Sequence, residues 1–258
     1  MLYFSHLLPD SQMREIIRGT GMGVESIEFS IAENLDRLDD CLRAYERRLL
    51  WMGCPGLILH GPFLDLNPMT YDSLVREVTM ERYQQAYRAA RALGAEKIVF
   101  HSCHIPQVYL TEGWAERTAG FFREFLKDKD EQIQVLVENV LEEQPEQLEE
   151  LASQVEHPAF GLCLDLGHAH CYAQASVLEW IKRLGSYIRH VHVHDNDGQK
   201  DSHEALGRGT LPWERGLELL SDRQLTYAIE CAKQEAVMDS WRRLKGIFYA
   251  SNTKDRRI

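Results

Sequence analysis

Eight short apolar runs, each followed by an amphipathic stretch, divide the 258-residue chain. The runs are LYFS (2–5), VESIEFS (24–30), GLILHGP (56–62), KIVFHS (97–102), IQVLVENV (133–140), FGLCLDLGH (160–168), IRHVHVHD (188–195) and LTYAIEC (225–231). Between them lie SQMREIIRGTG after a serine cap, a long helical stretch to about Trp51, MTYDSLVREVTMERYQQAYRAARALG ending at a glycine, and a helix near 112–128. PEQLEELASQV, with proline near its first turn, a helix near 175–184, PWERGLELLS and a last helix near 234–247 complete the series. Strict β/α alternation argues for parallel strands joined by crossover helices. Eight such units in a chain of this length predict a (β/α)8 barrel. An open doubly wound sheet would want a glycine-rich phosphate turn after an early strand, and neither GxGxxG nor a Walker loop occurs. No linker or low-complexity tract interrupts the pattern, so one domain over 1–258 is the simplest reading.

The C-terminal ends of the strands are the active-site face of such a barrel. His60 ends the third run, His101 the fourth and Glu138 the fifth. Asp165 ends the sixth, with His168 three residues on. His192 and His194 close the seventh, Asp201 and His203 follow in its loop, and Glu230 ends the eighth. Period-two alternation turns Glu138, His192, Thr226, Ala228 and Glu230 inward and leaves Val135, Val137, Val191, Val193, Tyr227 and Ile229 against the helices. A lone histidine at a strand end is usually a hydrogen-bonded structural residue. Nine His, Asp and Glu groups on one rim are a different case, because clustered carboxylates repel and raise one another's pKa. Cations relieve that repulsion, and imidazole with carboxylate suits zinc, manganese or cobalt better than calcium or magnesium. Of the alternating histidines, His190 is deepest and expected to be structural, His192 is the expected ligand, and His194 is expected to touch substrate or support a ligand.

The formal charge of −11 and pI near 5.5 argue against a nucleic-acid partner, since the densest basic runs, ERRLLW and DRRI, are short and interrupted by acids. No stretch approaches a membrane span and no leader pattern is present, so a cytoplasmic protein without a membrane partner is expected. The six cysteines form no CxxC pair, and Cys103, Cys163 and Cys231 read as buried small hydrophobes. Nothing in the residues specifies an oligomeric state.

HGP after the third strand, HS after the fourth, EN on the fifth, CLDLGHA, and HVHDND followed by DSHEALGRG together resemble the xylose-isomerase-like TIM barrels, which include endonuclease IV of the AP endonuclease 2 family. The resemblance covers nearly the whole chain. Sugar isomerases and epimerases of this superfamily hold one divalent ion at positions matching Glu138, Asp165, His192 and Glu230. Endonuclease IV holds three zinc ions, and all nine of its ligand positions are filled here by the same residue type. The resemblance implies one ion on His60, His101 and Glu138, a second on Glu138, Asp165, His192 and Glu230, and a third on His168, Asp201 and His203.

Two chemistries follow. Phosphodiester hydrolysis uses several cations to activate water and neutralise developing charge, with Glu138 bridging and Arg208 either clamping a phosphate oxygen or standing as a solvated surface arginine. Isomerisation or epimerisation needs one ion and a carboxylate pair, Glu138 and Glu230, to exchange a proton with carbon. A one-ion enzyme has no need of Asp201 and His203, so hydrolysis is the leading expectation and the isomerase the alternative, with a non-catalytic metal-binding barrel behind both. The acidic charge and the lack of basic and apolar loop insertions favour a small phosphoester or sugar-phosphate substrate over an abasic site in DNA. Corrinoid nucleotide loops, cut by other members of the superfamily, are one such substrate. Glu28 and His6 are further candidates for substrate contact, with loop anchoring an equal reading of Glu28, and Phe63 reads as core before it reads as a pocket wall. Trp114 and Trp213 read as packing residues, and His104, His157 and His170 carry no assignment.

Overall fold

Alternation along each strand sorts its side chains between two surfaces, and in a closed sheet these become the barrel interior and the helix-facing layer. The computed structural model describes residues 1–221 and 223–254, and DRRI lies outside them. Strands β1 (Leu2–Ser5), β2 (Gly23–Ser26), β3 (Leu57–His60), β4 (Lys97–His101), β5 (Gln134–Glu138), β6 (Phe160–Asp165), β7 (Ile188–Val193) and β8 (Thr226–Ile229) pair in parallel in chain order. β1 pairs with β8, which closes the single (β/α)8 barrel.

Inside the barrel, Tyr3, Ile58, Val99, Leu136, Cys163 and Ala228 form a small apolar cluster of their own. Val135, Val137, Val191, Val193, Tyr227 and Ile229 belong instead to the larger core shared with the helices, as the alternation predicts. The register sets the rim: His101 lies opposite Glu138, Glu138 opposite Cys163, and Asp165 opposite His192.

The surrounding helices are α1 (Asp10–Thr20), α2 (Ala32–Asp36), α3 (Leu38–Met52), α4 (Ser73–Leu93), α5 (Trp114–Leu126), α6 (Glu146–Val155), α7 (Leu166–Tyr172), α8 (Val177–Leu184), α9 (Trp213–Leu220) and α10 (Gln234–Lys254). Several boundaries differ from those read in the sequence. Pro9, not a serine, precedes α1, and the stretch to Trp51 divides into α2 and α3. β2 stops at Ser26, because Ser26 Oγ accepts the backbone N–H of Glu28 (3.1 Å) and turns the chain into a 3-10 helix, Glu28–Ser30. Glu28 therefore does not end a strand. β6 stops at Asp165, whose carboxylate accepts the N–H of His168 (2.7 Å) and caps α7, the first three residues of which the sequence reading placed in the strand run. Cys163 and Cys231 are buried, whereas Cys103 is half-buried with a left-handed backbone. Among the described residues no helix is long and apolar enough to cross a membrane.

Candidate metal centre

Strand ends and capped turns converge nine side chains on the C-terminal rim. Glu138, at the end of β5, is central: its Oε2 lies 3.3 Å from His60 Nε2 and 3.6 Å from His101 Nε2. Its Oε1 lies 3.2 Å from His192 Nδ1 and 3.3 Å from His168 Nδ1. Asp165 Oδ2 and Glu230 Oε1 approach the same His192 nitrogen at 3.7 and 3.6 Å. Asp201 Oδ2 lies 3.3 Å from His168 Nε2 and 3.1 Å from His203 Nε2.

Local chemistry fixes these positions. Asn139 follows Glu138 and pairs twice with the backbone of Asp165: its Oδ1 accepts the N–H (2.8 Å) and its Nδ2 donates to the carbonyl (2.9 Å). Asp195 is buried and accepts backbone N–H groups from Asn196, Gly207 and Leu211, which folds the long loop after β7 back over the rim with Asp201 and His203 on it. Ser5 Oγ donates to Glu230 Oε1 (2.9 Å). Phe63 stacks on His101, with centroids 4.1 Å apart and planes at 21°, and meets His60 edge-on.

Electrostatically the centre is a set of buried carboxylates charge-balanced by imidazoles. Burial alone would raise Glu138, yet His192 and His101 hold its carboxyl well below the usual range. Asp165 is likewise held well down, by His168 and His194 against the opposing effect of burial. Burial works against protonation of His168, but Asp165, Asp201 and Glu138 push it well up. His203 is raised to about 9, with burial outweighed by Asp201 and Glu230. His101 goes the other way, to about 3, chiefly through burial.

The residues fit divalent cations. His60, His101 and Glu138 form one group whose donor atoms lie within 4.8 Å of one another, and so do Glu138, Asp165 and His168, and Glu25, His192 and Glu230. His168, His194, Asp201 and His203 form another. His192 Nδ1, His194 Nδ1 and Asp201 Oδ1 are buried without a hydrogen-bond partner. Unpaired buried acceptors are costly, and a cation among them removes that cost.

His194 is fully buried at the rim with its Nε2 on Asp165 Oδ1 (3.1 Å), behind that carboxylate rather than facing a substrate. Other expected site residues lie elsewhere. His6 is buried between Tyr45 Oη (2.8 Å) and Asp10 (3.1 Å), and Glu28 accepts from Arg48 (2.7 Å); both belong to a polar network around Arg48. Arg208 is exposed and faces Asp239 at 3.8 Å. Trp114 and Trp213 are buried in the helix-facing core. The sequence reading missed Glu25, which is fully buried below the rim between His190 and His192. Its register opposite Ile58, a residue of the barrel interior, turns it inward.

Comparison with known proteins agrees with this architecture. A family model described as xylose isomerase-like TIM barrel matches residues 20–244. An uncharacterized protein of Methanocaldococcus jannaschii is 31% identical over 176 residues, covering 64% of this chain, and the match spans 60% of that relative's length. A D-tagatose 3-epimerase-like protein has the same fold, with TM-score 0.78, 24% identity and 98% of both chains covered. A Thermus thermophilus protein whose crystals were soaked with ZnCl2 superposes with TM-score 0.73 at 26% identity, over 95% of this chain and 98% of that one.

Proposed function

The chain belongs to the xylose isomerase-like TIM barrel family, and from that premise we propose that it is a divalent-metal-dependent hydrolase acting on a phosphodiester in a small molecule. One observation carries this reading: beyond the groups around Glu138 there is a further donor group, on His168, Asp201 and His203, that a one-ion enzyme does not use. Bound cations supply Lewis acidity, polarising a phosphoryl oxygen and making water acidic enough to attack near neutral pH. The protein's part is placement. His60 and His101 meet one oxygen of Glu138 and His192 meets the other, so these residues would hold cations on either side of that carboxylate. Ser5 orients Glu230, Asn139 fixes Asp165, and Phe63 shields the His101 side. A charge of −11 disfavours a long polyanion and leaves a small phosphoester as the fitting substrate class.

A second reading is a one-ion sugar or sugar-phosphate isomerase or epimerase. It is supported by the D-tagatose 3-epimerase-like neighbour and by Glu138 and Glu230, which flank one nitrogen of His192 at 3.2 and 3.6 Å. Two carboxylates on one side of the barrel mouth can exchange a proton with a substrate carbon. The test is paired turnover: bis(p-nitrophenyl) phosphate and a ketohexose panel, each with zinc- or manganese-loaded protein before and after chelation. Chelator-sensitive phosphodiester cleavage is expected; sugar interconversion without it would transfer the assignment to the second reading.

A further inference from the structure

At the N-terminal end of the barrel, away from the metal rim, the starts of β1 and β8 border a cavity of about 430 Å3. The turn after α1, the loop between α9 and β8, and the middle of α10 complete its wall. A space of this size holds a small organic molecule.

The chemistry of this wall is unlike that of the chain as a whole. The protein carries a net charge of −11, yet the charged side chains lining the cavity are Arg223 and Lys245, with no Asp or Glu among the described residues of the wall. The Arg223 guanidinium is seated against Gly185, where a Cβ would stand 2.8 Å from its Nη2. It acts on the Tyr227 phenol: burial pushes that group up to about 12, and Arg223 opposes the rise. Lys245 Nζ stands over the ring of Trp241, 4.8 Å from the centroid. Met22 and Leu225 add apolar surface between these groups.

Cations gathered on a concave surface focus a positive potential and draw an anion in. An inorganic anion would leave the indole, the phenol and the apolar wall unused, and a neutral ring would leave the cations unused. We propose that this cavity binds a planar organic anion, a ring bearing a carboxylate, sulfonate or phosphate, with Arg223 and Lys245 on the anionic group and Trp241 and Tyr227 beside the ring. The site lies at the far end of the strands from Glu138 and Glu230 and does not depend on the reading of the metal rim.

The test is isothermal titration calorimetry of the full chain with 2-naphthoate, and with 2-naphthylmethylamine as a cation of similar shape. Saturable one-to-one binding of naphthoate that weakens with salt is expected, and no binding of the amine. Arg223→Gln is expected to weaken naphthoate about tenfold or more, and Lys245→Gln to weaken it as well. Both side chains are exposed, and circular dichroism confirms that the variants fold. Their metal content stays at the wild-type level, which separates this site from a carboxylate bound to rim cations. No saturable binding of naphthoate, equal binding of the amine, or naphthoate binding unchanged in both variants would overturn the proposal.

Discussion

Glu25 holds His192 from below: its Oε1 accepts a hydrogen bond from His192 Nε2 at 2.9 Å, and this turns Nδ1 toward Glu138, Asp165 and Glu230. The other oxygen of Glu25 accepts from His190 Nε2, also at 2.9 Å, and His190 Nδ1 meets Thr226 Oγ1 at 2.7 Å. All three of Glu25, His190 and His192 are fully buried. A carboxylate behind a ligating imidazole fixes its tautomer and raises its basicity.

Glu25 is therefore a positioning residue, and its removal should register in metal affinity. In Glu25→Gln the amide has one acceptor oxygen and cannot accept from both imidazoles. Affinity is expected to fall about 10–100-fold, measured by competition with a chromophoric chelator. Unchanged affinity would reduce Glu25 to a core residue.

Metal binding should release protons. His168 is pushed well up and His203 to about 9, so at neutral pH both rings carry a proton before the cation arrives. On the order of two protons are expected to leave at pH 7, read by calorimetry in buffers of different ionisation enthalpy. Affinity should rise with pH. The metal-free fold responds oppositely: the folded pKa of His203 is above its ordinary 6.5, so its stabilisation is complete below that pH and lost as pH rises through about 9. Binding without proton release would contradict this electrostatic arrangement.

Gly167 leaves room for the ring of His194, because a Cβ there would stand 2.0 Å from it. Gly167→Ala is expected to destabilise the protein by about 1–3 kcal/mol and to lower metal content, since the ring must move. Thermal denaturation and metal analysis check both. A variant with wild-type Tm and metal content would mean the ring shifts freely.

The barrel and the nine rim positions were legible in the sequence because both follow one-dimensional rules. Each of Glu138, Asp165, His192 and Glu230 lies at the end of an apolar run, and period two decides which way it faces. What escaped depended on contacts that no local pattern encodes. Glu25 was hidden because VESIEFS reads as one strand, whereas the Ser26 hydroxyl ends it early. His194 reads as a loop residue before Asp195, yet Gly167, 27 positions earlier in the chain, and His203 enclose it. Position alone left His6 a pocket candidate and Glu28 open between substrate contact and loop anchoring, and Arg48, arriving from α3, engages Glu28 and Asp10.

The central claim is that this rim binds several ions rather than one, and the most direct measurement is zinc per chain by plasma mass spectrometry after reconstitution and desalting. About three equivalents are expected, two around Glu138 and one on the group that contains Asp201. A single equivalent in fully reconstituted protein would contradict it.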